Sequence, residues 1–187
     1  CICNVTFPRR CGSYPEMAKW LEHALTLCAP VQPSVQIVGG EPTLYPKDLA
    51  ALFDVIDANT VRRPVLGTNG YGLDDVLVDR LNRSSLEHVN ISRHHYNDVG
   101  NRRIMNGGVT SKWLADSLPK LKASVRVQCN LLAGEIDTYG EIMQFIAYAY
   151  HRLGVRIVAF AQLTPLPRGS FYDQSVIDYC SARLVDL

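Results

Sequence analysis

Two kinds of apolar pattern alternate along the chain, and this alternation constrains the fold more than any other feature. Stripes with apolar residues every three or four positions predict helices, and the short apolar runs between them predict strands. The predicted helices cover 14–28, the region 49–56, 73–82, about 110–121, and 138–154. The predicted strands are 35–38, 64–66, 87–92, 124–132 and 155–163, with a polar loop after 87–92. Because the connections are too long for hairpins, the series predicts parallel βαβ units, in an α/β barrel or an open doubly wound sheet.

The two faces of the predicted strands favour the barrel. In Val125–Leu131, apolar side chains alternate with arginine, glutamine and asparagine, so one face is apolar and the other polar. A doubly wound sheet is covered by helices on both faces, whereas a barrel admits polar side chains near its mouth. The predicted polar row consists of Asn90, Ser92, Gln128, Asn130 and Gln162. Alternatively, these side chains only satisfy one another in the core.

Length and composition exclude several classes of protein. A chain of 187 residues fits one domain. Its 19 Lys and Arg residues against 18 Asp and Glu residues give a net charge of +1, so nucleic acid is not an implied partner. No apolar run approaches the roughly 18 residues that span a bilayer. The sequence therefore predicts a globular domain without a membrane partner.

The six cysteines are unevenly distributed. Cys1, Cys3 and Cys11 crowd the start of the chain, which favours metal binding over a disulfide scaffold in a domain of this size. Cys28 lies on an apolar helix stripe and is predicted to pack in the core. Cys129 lies on the apolar face of its strand, which places it under the helices and away from a site.

A glycine pair follows the strand at 35–38. Gly39 and Gly40 allow positive φ and close approach of the backbone to a ligand, and Glu41 adds a carboxylate beside that bare backbone. Such a loop can receive an ammonium group. The alternative is a plain turn whose acidic residue caps the next helix.

Four short motifs follow predicted strands: Gly39-Gly40-Glu41-Pro42, Gly67-Thr68-Asn69-Gly70, Asn90-Ile91-Ser92 and Val127-Gln128-Cys129-Asn130. Their types and order resemble those of radical S-adenosylmethionine (SAM) enzymes. Gly39-Gly40-Glu41-Pro42 resembles the Gly-Gly-Glu-Pro motif of that family, and Gly67-Thr68-Asn69-Gly70 resembles its Thr-Asn-Gly motif. Asn90-Ile91-Ser92 and Val127-Gln128-Cys129-Asn130 resemble the motifs of the next two strands. The resemblance covers roughly residues 1–165. Within the family, the chain looks most like the branch that contains the molybdopterin-pathway GTP cyclase and the SPASM-type peptide-modifying enzymes.

The fold implied by the resemblance is a partial (βα)6 TIM-type barrel of parallel strands. We expect its first strand upstream of Cys1, the barrel at 1–169, and the start of a C-terminal extension at 170–187. The resemblance also assigns cofactor-binding residues by motif position. Gly39, Gly40 and Glu41 would hold the methionyl ammonium, Thr68, Ser92 and Asn130 would lie along the carboxylate and ribose, and Gln162 and Leu163 would lie near the adenine. Pro42, Asn69 and Gln128 are further expected cofactor-binding residues.

The cluster-binding motif departs from the family pattern of Cys-x3-Cys-x2-Cys. Three thiolates of that pattern bind three irons, and the fourth iron stays open for SAM. Here Cys1 and Cys3 are separated by one residue, and Cys11 follows eight residues later. We expect Cys3 to be the last ligand and Cys1 the middle one. The alternatives are an unusual motif that includes Cys11 and a chain that has lost its cluster.

The segment after Ser92 differs from the Ser-Leu-Asp common in the family. His94 and His95 are candidates for substrate contact or proton transfer because they follow an active-site strand. A solvated polar loop is the alternative. Arg93 and Arg126 could hold an anionic substrate, although arginines are common on protein surfaces.

The resemblance implies an enzyme that reductively cleaves SAM at a [4Fe–4S] cluster. The resulting 5′-deoxyadenosyl radical would abstract hydrogen from a small-molecule or peptide substrate. An electron donor such as flavodoxin or ferredoxin and a cytoplasmic location go with this function. Two alternatives stay open: an iron-free, phosphate-handling TIM-barrel enzyme, and a catalytically inactive barrel that serves as a binding module.

Overall fold

Five parallel strands form one sheet in the computed structural model of the protein, which describes residues 14–162. The strands are β1 (Ser34–Ile37), β2 (Arg62–Thr68), β3 (His88–Ser92), β4 (Ser124–Leu131) and β5 (Ile157–Gln162). They pair in sequential order, which is the order of a (βα) barrel, and within the described residues β1 and β5 do not pair with each other. The predicted α/β fold with a partial parallel barrel is therefore confirmed.

Helices cover the outside of the sheet, where the first helix precedes β1 and the others connect each strand to the next. They are α1 (Tyr14–Cys28), α2 (Pro46–Asp57), α3 (Asp75–Leu81), α4 (Asp98–Met105), α5 (Ser111–Ser117) and α6 (Tyr139–Leu153), with short 3-10 helices at Ala29–Val31, Pro42–Leu44 and Leu118–Lys120. Thr138 caps the N-terminus of α6, because its hydroxyl accepts from the Glu141 N–H, and Gly154 caps the C-terminus in the left-handed conformation. None of the helices in this described region is long and apolar enough to cross a membrane.

The hydrophobic core lies between the helices and the outward face of the sheet. Val89, Ile91, Val127 and Cys129 have no exposed surface and contribute to one cluster with residues of α2, α3, α5 and α6. The alternating residues of the same strands point to the inside of the partial barrel. Packing of the outward face therefore fixes which side chains are presented to the inside.

Helix α4 contradicts the predicted polar loop after β3. It carries a single buried aliphatic side chain, Ile104, so its sequence lacks a helical apolar stripe. Side-chain hydrogen bonds stabilise it instead, because Asn97 accepts from the Gly100 N–H and Asn101 accepts from the His94 N–H. A pattern based on apolar spacing cannot detect a helix stabilised in this way.

Two further expectations are corrected by packing and register. Cys28 is exposed rather than buried, since α1 contributes only Leu25 to the buried core of the described residues. Gln162 pairs in register with Leu131, whereas Ala161 pairs with Asn130. Gln162 therefore occupies the register of the apolar row of β4, and alanines continue the polar row on β5.

Gly100 of α4 is expected to tolerate no side chain. A Cβ atom at this position would lie 2.5 Å from Cδ2 of the buried His95 ring. We expect Gly100→Ala to lower the free energy of unfolding by about 1–3 kcal/mol through overpacking. The matched control is Gly140→Ala in α6, where the added Cβ atom would lie 3.9 Å from its nearest neighbour, Oγ1 of Thr138. Alanine at this position should stabilise the protein by up to about 1 kcal/mol. Urea unfolding measures both values, and equal stability of the two variants would contradict the tight packing of α4.

Candidate active site

An open cavity of about 210 Å³ lies at the carboxyl ends of the strands. Parallel α/β folds place ligands at this end of the sheet. The lining residues come from β1 to β4 and from the loops that follow β1 and β2. They are Gln36, Val38, Gly39, Gly40, Glu41, Gly67, Thr68, Asn69, Asn90, Ser92 and Gln128.

The glycine pair after β1 has the backbone conformation that its sequence predicts. Gly39 and Gly40 have φ values of +98° and +52°, which favour glycine over other residues. A Cβ atom at either position would meet nothing within 4 Å, so conformation rather than space requires glycine there. Both residues line the cavity, and their bare backbone is open to a ligand.

The Glu41 carboxylate ties this loop to the end of β2. Its Oε1 accepts from the hydroxyls of Thr43 and Thr68 at 2.6 and 2.5 Å, and from the Thr43 N–H at 3.2 Å. Its Oε2 accepts from the Asn69 N–H at 2.7 Å. Glu41 thus caps the following 3-10 helix, as the plain-turn alternative predicted, and also joins two strand ends. Oε2 has capacity for a further donor, because a carboxylate oxygen accepts two hydrogen bonds.

The polar row on the inside of the strands is present at β3 and β4. Asn90, Ser92 and Gln128 line the cavity, and Asn90 Oδ1 accepts from Nε of Arg126 at 3.0 Å. Within residues 14–162, the side chains of Ser92, Gln128 and Asn130 make no hydrogen bond to one another. The alternative that these side chains merely satisfy one another is therefore wrong for the described residues. Unpaired polar groups beside an open cavity are available to a polar ligand.

The predicted cofactor residues fall into three groups by position. Seven of them line the cavity together: Gly39, Gly40, Glu41, Thr68, Asn69, Ser92 and Gln128. Pro42 begins the 3-10 helix beside Glu41, and Asn130 continues the inner row of β4 two residues beyond Gln128. Cys1, Cys3, Cys11, Leu163 and the side chain of Gln162 lie outside the described residues, so their roles stay predictions.

Three lining residues were missed by the sequence reasoning. Gln36 and Val38 alternate with Val35 and Ile37, so the two-residue period of β1 could have identified them. Gly67 precedes the Thr-Asn-Gly motif on the same inner row as Asn69. A Cβ atom at Gly67 would lie 2.8 Å from Cγ1 of Val38. The absence of a side chain at Gly67 therefore leaves room for the Val38 side chain.

The segment after β3 is buried, which contradicts the solvated-loop alternative and the expectation of a surface Arg93. Arg93, His94 and His95 are only 1%, 3% and 6% exposed. Neither histidine is among the residues that line the described cavity. Their placement favours a structural role over the predicted contact with substrate.

Each histidine makes hydrogen bonds that hold the neutral ring. His94 Nδ1 accepts from the Asn130 N–H at 3.1 Å, and burial, reinforced by the Arg93 charge, lowers the pKa of His94 to about 3. His95 Nδ1 accepts from the Asn97 N–H at 3.1 Å, and burial lowers the pKa of His95 as well. A ring that stays neutral at physiological pH serves as a fixed acceptor rather than as an acid.

Glu135 connects α4 to the turn that follows β4. Both of its carboxylate oxygens accept from Arg103, at 2.7 and 2.6 Å from Nη2, and Oε2 lies 3.9 Å from Nε2 of His95. The segment after β3 and the turn after β4 are thereby joined at the mouth of the sheet.

Cluster ligands are absent from the described part of the chain. Between residues 14 and 162, no group of three or more His, Cys, Asp or Glu residues could hold a metal ion. Cys129 is fully buried, and burial raises the pKa of its thiol to about 12, so it is not a thiolate ligand. This agrees with its predicted position under the helices.

Comparison with known proteins relates this site to a family. Residues 1–149 match the family model of the Radical SAM superfamily. No curated protein matches the chain.

Several solved structures share the fold at low sequence identity. Streptococcus suis SuiB bound to S-adenosylmethionine has 18% identity and a TM-score of 0.63, with 87% of this chain and 39% of the SuiB chain covered. SuiB bound to precursor peptide SuiA has 19% identity and a TM-score of 0.60, with 87% and 38% covered. A radical SAM methyltransferase from Sphaerobacter thermophilus has 15% identity and a TM-score of 0.62, with 90% and 55% covered. The chain thus spans about two-fifths of the SuiB chain.

Proposed function

Because the chain belongs to the radical SAM superfamily, we propose that it cleaves SAM reductively and initiates radical chemistry on a small molecule or peptide. The family uses a [4Fe–4S] cluster and SAM, which together supply a 5′-deoxyadenosyl radical that abstracts hydrogen. The protein would bind and orient SAM, exclude water and place one C–H bond of the substrate.

The observation that carries the proposal is the cavity at the carboxyl ends of the strands. Its glycine pair, its single carboxylate and its unpaired polar side chains fit a ligand that has both an ammonium group and hydroxyls. Glu41 Oε2 has capacity for the methionyl ammonium, beside the bare backbone of Gly39 and Gly40. The lining that the structure describes contains no lysine or arginine, which favours this function over the phosphate-handling alternative.

The remaining contacts follow the inner row of the sheet. Ser92, Gln128 and Asn130 would bind the carboxylate and ribose of SAM, since their side chains are free of partners among residues 14–162. Thr68 and Asn69 would support SAM binding indirectly, because the Thr68 hydroxyl and the Asn69 N–H donate to the Glu41 carboxylate and hold it in place. The adenine would lie near Gln162 and Leu163.

The cluster would be held by residues at the start of the chain. We assign Cys1 and Cys3 as thiolate ligands, with Cys11 as the alternative. An electron donor such as flavodoxin or ferredoxin would supply the electron, and we propose a cytoplasmic location. The barrel would extend to residue 169, with a C-terminal extension from 170.

The substrate would be a peptide or a small molecule. One solved relative, SuiB, is bound to precursor peptide SuiA, which supports a peptide as one candidate here. The net charge of +1 fits a peptide or small molecule better than nucleic acid.

Anaerobic reconstitution with iron and sulfide tests the function. With SAM and dithionite, the wild-type protein should show cluster absorbance and release 5′-deoxyadenosine. The Cys3→Ala variant should lose the cluster and fall to the background rate, whereas Cys28→Ala, at an exposed cysteine outside the site, should match wild type. A protein that binds iron and SAM but releases no 5′-deoxyadenosine would support the binding-module alternative instead. A protein that binds neither would contradict both.

A further inference from the structure

The parallel pairing of β3 and β4 is extended beyond the last strand residue by a side chain. Ser92 pairs with Gln128, and the Arg93 N–H still donates to the Gln128 carbonyl at 3.0 Å. In a continuing parallel ladder, the Asn130 N–H would donate to a carbonyl of the neighbouring strand. Here the Asn130 N–H donates instead to Nδ1 of His94 at 3.1 Å. The imidazole thus takes the place of a backbone acceptor.

His94 is itself held from the opposite side. The backbone N–H of His94 donates at 2.8 Å to Oδ1 of Asn101, a residue of α4 that is 2% exposed. Neighbouring Arg93 is 1% exposed, and its guanidinium donates to the carbonyls of His95 and Val109. The position of the His94 ring is therefore fixed by α4 and by the segment that flanks it.

Asn130 is the residue whose position depends on this ring. Its backbone is held by His94, and its side chain continues the inner row next to Gln128, which lines the cavity. We propose that His94 is a positioning residue, whose neutral ring accepts from the Asn130 N–H and so holds the Asn130 side chain in place to bind SAM. This role rests on the proposed function. It differs from the proton transfer expected from the sequence, because His94 acts through Asn130 and does not touch substrate.

Two substitutions separate positioning from general stability. His94→Leu removes the acceptor, whereas His94→Asn places an amide oxygen at the same number of bonds from the backbone as Nδ1. Hydrogen exchange of the Asn130 amide, followed by mass spectrometry on the reconstituted protein, reports the hydrogen bond directly. We expect at least tenfold faster exchange in His94→Leu and near wild-type exchange in His94→Asn, with the Val127 amide of β4 unchanged in both.

SAM affinity provides the second measurement. The dissociation constant for SAM should rise about tenfold in His94→Leu and return toward wild type in His94→Asn, the effect of losing one well-placed hydrogen bond. Unchanged Asn130 exchange in His94→Leu would overturn the inference, and so would faster exchange with unchanged SAM affinity. If the wild-type protein itself did not bind SAM, the proposed function would fail and this role with it. If wild type and His94→Leu bound SAM equally well, only the role of His94 would fail.

Discussion

Replacing Arg93 with methionine should lower the free energy of unfolding by about 2 kcal/mol or more, because two backbone carbonyls lose the buried donor that satisfies them. Arg93 is almost completely buried, and its guanidinium donates to four groups. The acceptors are the carbonyls of His95 and Val109 at 2.9 and 3.0 Å, Oδ1 of Asp98 at 2.6 Å and Oγ of Ser111 at 3.0 Å. Methionine fills a similar volume but donates to none of them. The carbonyls of His95 and Val109 lose their side-chain donor, whereas Asp98 Oδ1 still accepts from the N–H and hydroxyl of Ser111. Asp98 is partly exposed, so water compensates for part of the loss.

Arg102→Met is the matched control, since Arg102 is an exposed residue of the same neighbourhood in α4. Its side chain makes no hydrogen bond to another residue in the region that the structure describes, so the substitution should change stability by less than about 0.5 kcal/mol. Urea unfolding followed by circular dichroism compares the two variants. If Arg93→Met were as stable as Arg102→Met, the four hydrogen bonds would not be contributing as the structure indicates.

Replacing Glu41 should have the largest effect on cofactor binding. The carboxylate is the single charged group of the described lining, and a hydrogen bond to a charged group contributes about 1.5–3 kcal/mol, roughly ten- to hundredfold in affinity. We expect Glu41→Gln to weaken SAM binding by at least tenfold. Glu41→Ala should weaken it further, because alanine also releases Thr68 and the Asn69 N–H from their acceptor.

Calorimetric titration of the reconstituted protein with SAM measures these affinities, and thermal unfolding shows whether each variant is folded. Glu22→Gln, at an exposed position on α1, removes the same charge away from the site and should bind SAM as wild type does. A folded Glu41→Gln variant with wild-type affinity would refute the assignment of this carboxylate to the methionyl ammonium.

Elements with strong local signals were predicted correctly from the sequence. Helix α6 has both a capping box at Thr138 and a left-handed glycine at Gly154, and each signal lies within a few residues of the helix end that it determines. The inner polar row at Asn90, Ser92 and Gln128 was also predictable, because the two-residue period of a strand depends only on local geometry.

Features that no local apolar pattern marks were not predictable in the same way. Helix α4 depends on Asn97, Asn101 and the buried Arg93 rather than on an apolar stripe. The bonds from Glu41 to Thr68 and Asn69 require the relative position of two strand ends, which the pattern of one segment does not contain. Gln162 was expected in the inner polar row, and this prediction was wrong. Alternation along β5 already puts Gln162 in phase with Val158 and Phe160, which pack against the core.

The contacts of Glu135 have a consequence for how the sequence can change. This residue binds Arg103 of α4 and lies beside His95, so one carboxylate serves two segments that are more than 30 positions away in the chain. A substitution of Glu135 removes the carboxylate that Arg103 binds and the group beside Nε2 of His95. Related sequences should therefore vary at positions 103 and 135 together, and a designer who exchanges the segment after β3 should transplant the turn after β4 with it.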